Sequence, residues 1–194
     1  MDPSDTRPML ESMDSDNSDG AENQQERPVS PDWIVGFVDG EGCFSIGFAR
    51  QPTRNRRKGY RAGYQVTHRF VVVQGASSVS CLHDLRRFFS VGGVSVNRRH
   101  DNHKEDLYRY QVNGRAELLE VIVPFFRAHR LRTAKAGDFE KFVRCLEICR
   151  SGRHLETVGL IEIAELTEQM NHRKSREELI GILRGHTPDT LSKG

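Results

Sequence analysis

The sequence predicts an α+β fold in which one antiparallel sheet carries helices on one face, in the order α-β-β-α-β-β-α, with further helices at the C-terminal end. Three observations predict it. Two pairs of short alternating segments read as β-hairpins, residues 43–48 with 63–73 and 94–99 with 107–112. Segments with apolar residues at helical spacing precede, separate and follow the pairs. No segment repeats, so one layered domain rather than an array is expected.

Each element has a local reason. Ser30-Pro31-Asp32 is a helix start, with a hydroxyl cap, a proline at the first helical position and an acid in the first turn. That helix is expected to run to about Gly40. From Cys43 to Phe48, Phe44, Ile46 and Phe48 share one face of a strand. Residues 49–62 form a polar, basic connection to a second strand, Gly63 to Val73, with Val66, Phe70 and Val72 inward. Val79, Leu82, Leu85 and Phe89 mark a helix over 77–89. Gly92-Gly93 turns the chain into a third strand, Val94 to Arg99, and a turn over 100–106 leads to a fourth, Leu107 to Val112. Helices are expected over 115–128, 133–149 and 156–170. Gly181 to Gly194 carries weak signals and is expected to fray.

The N-terminal 28 residues hold almost no large apolar side chains and are expected to be a disordered acidic arm. The domain proper is expected over 29–172, followed by a partly helical tail over 173–194. Residues 1–29 carry eight acids and two bases, which leaves 27 bases and 19 acids for the rest. A basic body with an acidic arm suits a nucleic-acid partner, although ribosomal and membrane-surface proteins share that balance. No apolar run is long enough for a membrane span, so no membrane partner is expected. Cys43, Cys81, Cys145 and Cys149 form no CxxC pair and read as reduced thiols. This points to an intracellular protein. The eight histidines lack zinc spacing, and nothing resembles a P-loop, a nucleophile elbow or a Cys-His pair.

The chemistry is concentrated in residues 34–42, IVGFVDGEG. Gly36 and Gly40 lie four apart and form a stripe without Cβ atoms. Each glycine costs a helix about 1 kcal/mol relative to alanine, so two ask for a reason, and close approach of another helix is one. Asp39 and Glu41 follow at the helix C-terminus, where the macrodipole is already negative. Two such helices packed together would bring two Glu41 carboxylates near each other. Like charges at that range raise one another's pKa or recruit cations, and a divalent metal with oxygen ligands resolves the conflict.

This segment resembles the LAGLIDADG motif of homing endonucleases, with Gly36, Phe37, Val38, Asp39, Gly40, Glu41 and Gly42 matching it or its usual substitutes. The element order extends the resemblance over roughly 30–170. It implies the LAGLIDADG fold, a sheet saddle with helices on one face. It also implies a motif helix that is both subunit interface, through Trp33, Gly36, Phe37 and Gly40, and holder of the metal ligands. Glu41 is then the carboxylate ligand, where most members carry Asp, and the Gly40 carbonyl the backbone ligand. One motif per chain implies a homodimer, since relatives with two motifs are longer and monomeric. The implied cofactor is Mg2+, with Mn2+ as a substitute and Ca2+ supporting binding without cleavage.

Members add a polar residue at the end of the second strand, here Gln74, suited to orienting water. They also add a basic residue after the third helix. Arg130, Arg132 and Lys135 compete for that role in RLRTAK. The resemblance favours Lys135, with Arg132 sharing the work, and Ala134 replaces the usual second lysine.

The outward sheet face is expected to carry Ser45, Gln51, Gln65, Thr67, Arg69, Ser95, Asn97, Arg99, Arg109 and Gln111, side chains that read base edges. The first hairpin's connection adds Arg54, Arg56, Arg57, Lys58 and Arg61 for phosphates. The implied function is a sequence-specific DNA endonuclease. It would make a staggered double-strand cut in a long, near-palindromic site by metal-dependent hydrolysis. The rivals are an intron maturase that binds its own intron RNA and a regulator that binds DNA without cutting.

Overall fold

The computed structural model describes residues 29–51, 63–96, 106–170 and 175–185. The expectations for the acidic arm, for Arg54, Arg56, Arg57, Lys58 and Arg61, for Asn97 and Arg99, and for most of the 100–106 turn lie outside the described residues.

The chain follows the expected order. Helix α1 (Pro31–Glu41) starts where its cap predicts: the Ser30 hydroxyl accepts the Trp33 N–H at 3.2 Å. Strands β1 (Gly42–Arg50) and β2 (Tyr64–Gly75) pair antiparallel, with Phe44 opposite Phe70 and Ser45 opposite Arg69. A 3-10 turn over Ala76–Ser78 leads into α2 (Val79–Phe89). Strand β3 (Gly93–Val96) pairs with β4 (Leu107–Val112), and β4 pairs with β2. The result is one four-stranded antiparallel sheet in the order β1-β2-β4-β3.

The segment expected to be helical over 115–128 is three pieces end to end. These are α3 (Arg115–Glu117), a widened π turn over Leu118–Ile122, and α4 (Val123–Ala128). Pro124 sits just beyond the π turn. It offers no N–H to the preceding turn, and a locally widened helix absorbs that mismatch. Helix α5 (Lys135–Arg150) begins two residues later than its sequence suggests, because Arg132 and Thr133 are held by another element, described below. Helix α6 (Thr157–Glu168) follows.

The expected fraying after Gly181 gives way to a helix as far as Gly185, α7 (Glu177–Gly185). Leu183 is fully buried and Ile180 nearly so, in a helix that packs on α6. Tertiary burial there outweighs the glycine penalty that made the segment look weak.

The core lies between the helices and the inward sheet face. Phe44 is at its centre, with ring centroids 5.1 to 5.5 Å from Phe70, Phe126, Phe139 and Phe142. This aromatic cluster pins β1, β2, α4 and α5 together, and so fixes where the end of α1 meets the start of α5. No described helix is long and apolar enough to cross a membrane.

Candidate active site

Helix α1 has two faces. Ile34, Val35 and Val38 are buried against the body. Trp33, Gly36 and Gly40 are exposed and Phe37 is half-buried, with the Trp33 and Phe37 rings stacked at 4.7 Å. A Cβ placed on Gly36 or Gly40 would meet nothing within 4 Å, so no contact among the described residues asks for glycine at either position. Gly42 differs. A Cβ there would stand 2.6 Å from a Val38 methyl and 2.8 Å from its carbonyl oxygen, so the turn from α1 into β1 requires glycine. An open groove of ≈ 680 Å3 runs beside the bare stripe, lined by Asp32, Val35, Gly36, Asp39, His129 and Arg132 among others.

The two acids of the motif have different surroundings. Asp39 Oδ2 accepts the Arg132 N–H at 2.8 Å, and Oδ1 accepts the Thr133 hydroxyl at 2.7 Å and its N–H at 3.3 Å. Burial pushes the Asp39 pKa up. The donated hydrogen bonds from Arg132 and Thr133 and the Lys135 charge outweigh burial and hold it below the ordinary value. Asp39 is therefore an anchor for the strap before α5, a role with no sequence signal beyond its place in the motif. Glu41 is exposed and takes no hydrogen bond or ion pair among the described residues.

Lys135, the first residue of α5, reaches back over the end of α1. Its Nζ donates to the Val38 carbonyl at 2.7 Å and lies 3.5 Å from the Gly40 carbonyl. A cation thus sits at the negative end of the α1 dipole. Burial lowers the Lys135 pKa, and the neighbouring Cys43, Asp39, Glu41 and Asp138 only partly restore it. Cys43, the second residue of β1, has its thiol pKa pushed up by burial, with Lys135, Asp138 and Arg69 nearby. Of the two bases expected here, Lys135 brings its side chain to the motif. Arg132 contributes its main chain, and its exposed guanidinium makes no hydrogen bond among the described residues.

Gln74 is half-buried and pairs with Tyr108. Because Gly42 is opposite Val72, Gln74 lies at the same end of the sheet as Glu41.

The sheet's outward face matches the sequence reading wherever it is described. Ser45, Gln65, Thr67, Arg69, Ser95, Arg109 and Gln111 share that face by register, and Gln51, just past β1, joins it through Gln65. Gln51 Nε2 donates to Gln65 Oε1 at 2.7 Å, and Arg109 Nε to Ser95 Oγ at 3.4 Å. No carboxylate stands on this face among the described strand residues. Arg69 and Arg109 are the charged side chains of this face among the described strand residues.

The fold, the acid-bearing motif helix and the outward sheet face with Arg69 and Arg109 together define the class: a LAGLIDADG-type protein. The family model for the LAGLIDADG endonuclease matches residues 34–146, and the chain belongs to that family. It is similar to the crystal structure of the homing endonuclease I-TnaI, with 38% identity and a TM-score of 0.67 over 82% of this chain and 99% of that one. It is also similar to the LAGLIDADG homing endonuclease I-SmaMI bound to cleaved DNA. There the identity is 28% and the TM-score 0.68, over 83% of this chain and 50% of that one. A probable intron-encoded DNA endonuclease of Mycosarcoma maydis is 31% identical over 108 residues, 56% of this chain and 34% of the relative. The chain spans about a quarter to a third of the length of the curated relatives it matches.

Proposed function

We propose that this chain is a DNA endonuclease of the homing type, which binds a long, near-palindromic double-stranded site and hydrolyses one phosphodiester on each strand to leave staggered ends. The observation that carries the reading is the pairing of the exposed Glu41 carboxylate, unpartnered among the described residues, with a bare glycine face on the same helix, beside a sheet face whose described strand residues carry no acid. Relatives are named as intron-encoded DNA endonucleases, and I-SmaMI has been solved on DNA.

The working unit is a homodimer. Gly36 and Gly40 let a second copy's motif helix approach closely, and Trp33 and Phe37 flank that contact. The two Glu41 carboxylates then stand together at the base of the saddle.

These residues fit a divalent metal. One chain offers the Glu41 carboxylate and the Gly40 carbonyl, both hard oxygen donors. No cluster of three metal-ligating side chains exists among the described residues, so a complete site calls for the second copy. Glu41 and Gly40 would hold the ion, with Mg2+ the expected species, and the ion supplies charge stabilisation and an acidified water. The chain's own residues do the rest. Gln74 orients water, Lys135 places a positive charge beside the developing phosphorane, and Arg132 adds a further cation at the groove. Ser45, Gln51, Gln65, Thr67, Arg69, Ser95, Arg109 and Gln111 read base edges. The basic residues from Arg54 to Arg61 neutralise phosphates.

Selection from a randomised DNA-site library tests this. Sites recovered by binding in Ca2+ are then exposed to Mg2+, and cleavage of the same sites is the expected result. Binding without cutting under any divalent metal would move the reading to a DNA-binding regulator. Preference for intron RNA over DNA would move it to a maturase.

A further inference from the structure

The strap between α4 and α5 is tied to the motif helix at two points where it enters α5. Asp39 accepts the Arg132 and Thr133 amides and the Thr133 hydroxyl, and Lys135 Nζ returns to the carbonyls on either side of Asp39, those of Val38 and Gly40. The link between the two ties is Thr133 Oγ, which also accepts the Lys135 N–H at 3.2 Å. The proton's direction is settled by chemistry. A carboxylate only accepts, so the hydroxyl gives its single proton to Asp39 and keeps its lone pairs for the Lys135 amide. The ring runs from Asp39 through Thr133 to the backbone and side chain of Lys135, and back to the peptides flanking Asp39.

We propose that Thr133, oriented by Asp39, is a positioning residue that holds the Lys135 ammonium over the Val38 and Gly40 carbonyls, beside Glu41. A lysine ammonium on a free four-carbon stem samples many rotamers, and holding one of them costs conformational entropy. Fixing its backbone through Thr133 and its tip through two carbonyls removes that freedom before substrate arrives. The first acid of the motif thereby serves the base and the second serves the cleaved phosphate, although they stand two residues apart. This assignment rests on the endonuclease reading for its catalytic consequence, but the positioning itself does not.

The test uses the full chain with Thr133→Val, Thr133→Ser and Asp39→Asn. Valine keeps the shape and removes both hydrogen bonds, whereas serine keeps them. Single-turnover cleavage in Mg2+ should fall roughly ten- to a hundred-fold in Thr133→Val, the scale for loss of a supporting hydrogen bond around a metal site. The Kd for DNA in Ca2+ should stay within about twofold, since the sheet face is untouched. Thr133→Ser should restore the rate, and Asp39→Asn should fall between the two.

An activity-independent readout is lysine-selective 15N NMR of the side-chain ammonium groups, with Lys135 assigned through Lys135→Arg. Its resonance should be resolved in the wild type and in Thr133→Ser, and merge with the surface lysines in Thr133→Val. A Thr133→Val chain that keeps the resolved signal overturns the proposal, as does a serine variant as slow as the valine one. If Thr133→Val does not fold, Asp39→Asn decides by the same signal. A wild-type chain that cuts no DNA ends the endonuclease reading, while the NMR signal still decides the positioning.

Discussion

The two faces of α1 are made from neighbouring residues and have opposite fates. Inward, Ile34, Val35 and Val38 are buried, and Asp39 has every listener it needs in the strap before α5. Outward, Trp33, Gly36 and Gly40 are exposed, and Glu41 is without a hydrogen-bond partner among the described residues. The inner face is satisfied by this chain alone. The outer face carries glycines and a carboxylate at a cost to the isolated helix, and its proposed partners are another helix, a cation and DNA.

The largest test of that contrast is Glu41→Gln. Cleavage should drop by about three orders of magnitude or more, the upper range for loss of a group that stabilises transition-state charge, while binding in Ca2+ is kept. Near wild-type cutting would place the catalytic ion elsewhere. Removing the charge also relieves repulsion between paired Glu41 side chains, so self-association should hold or strengthen.

On the inner face, Ile34→Ala should cost about 2 to 5 kcal/mol of stability, because a fully buried side chain leaves a cavity behind. Denaturant unfolding reads this directly, and a loss under 1 kcal/mol would mean α1 is less firmly docked than its burial implies.

Gly36→Leu sharpens the contrast between faces. A Cβ at Gly36 meets nothing among the described residues, and leucine is the better helix former by about 0.8 kcal/mol or slightly less. The unfolding midpoint of the separated subunit should hold or rise while self-association is lost. Sedimentation of the variant as the same dimer as wild type would rule out the helix-to-helix contact.

On the sheet, Arg69→Gln should weaken binding to the preferred site by about 1 to 3 kcal/mol and relax the choice of base there. Uniform weakening across all sequences would make Arg69 a phosphate contact instead.

The smallest expected effect lies away from the motif. His68 and His154 have their pKa values lowered, first by burial and then by the Arg115 charge, with each imidazole Nδ1 buried and without a hydrogen-bond partner among the described residues. A hydrogen bond at Ile148 offsets part of the shift for His154. Protonation therefore favours the unfolded chain. Stability should be level above about pH 6.5, the ordinary histidine value, and decline as pH falls below it towards the folded-state values. Thermal unfolding at pH 7.5 and 5.5 measures the decline, and His68→Gln should reduce it.

Much of this was legible in the chain. The Ser30-Pro31 cap, the alternation of Phe44 and Ile46, and that of Val66, Phe70 and Val72 are local patterns. Each names an element and its buried side without reference to any other part of the molecule. The motif likewise marked Glu41 and Gly40, because its glycines and acids lie within three turns of one helix. The π turn before Pro124 and the helix over 177–185 were less visible. In the first, a helix accommodates a residue that breaks its hydrogen bonding. In the second, burial of Leu183 overrides a glycine.

By itself, then, the sequence determined the element order, the inward and outward sides of the sheet and the motif that carries the carboxylate. All of these follow from periodicity and residue type over a few neighbouring positions. Only the tertiary structure decided that Asp39 anchors the strap, that Lys135 brings its ammonium to the motif helix, and that Arg132 enters through its main chain. Those roles join residues more than ninety positions apart, and hydrogen-bond geometry across that separation exists only once the aromatic core has set α1 against the start of α5.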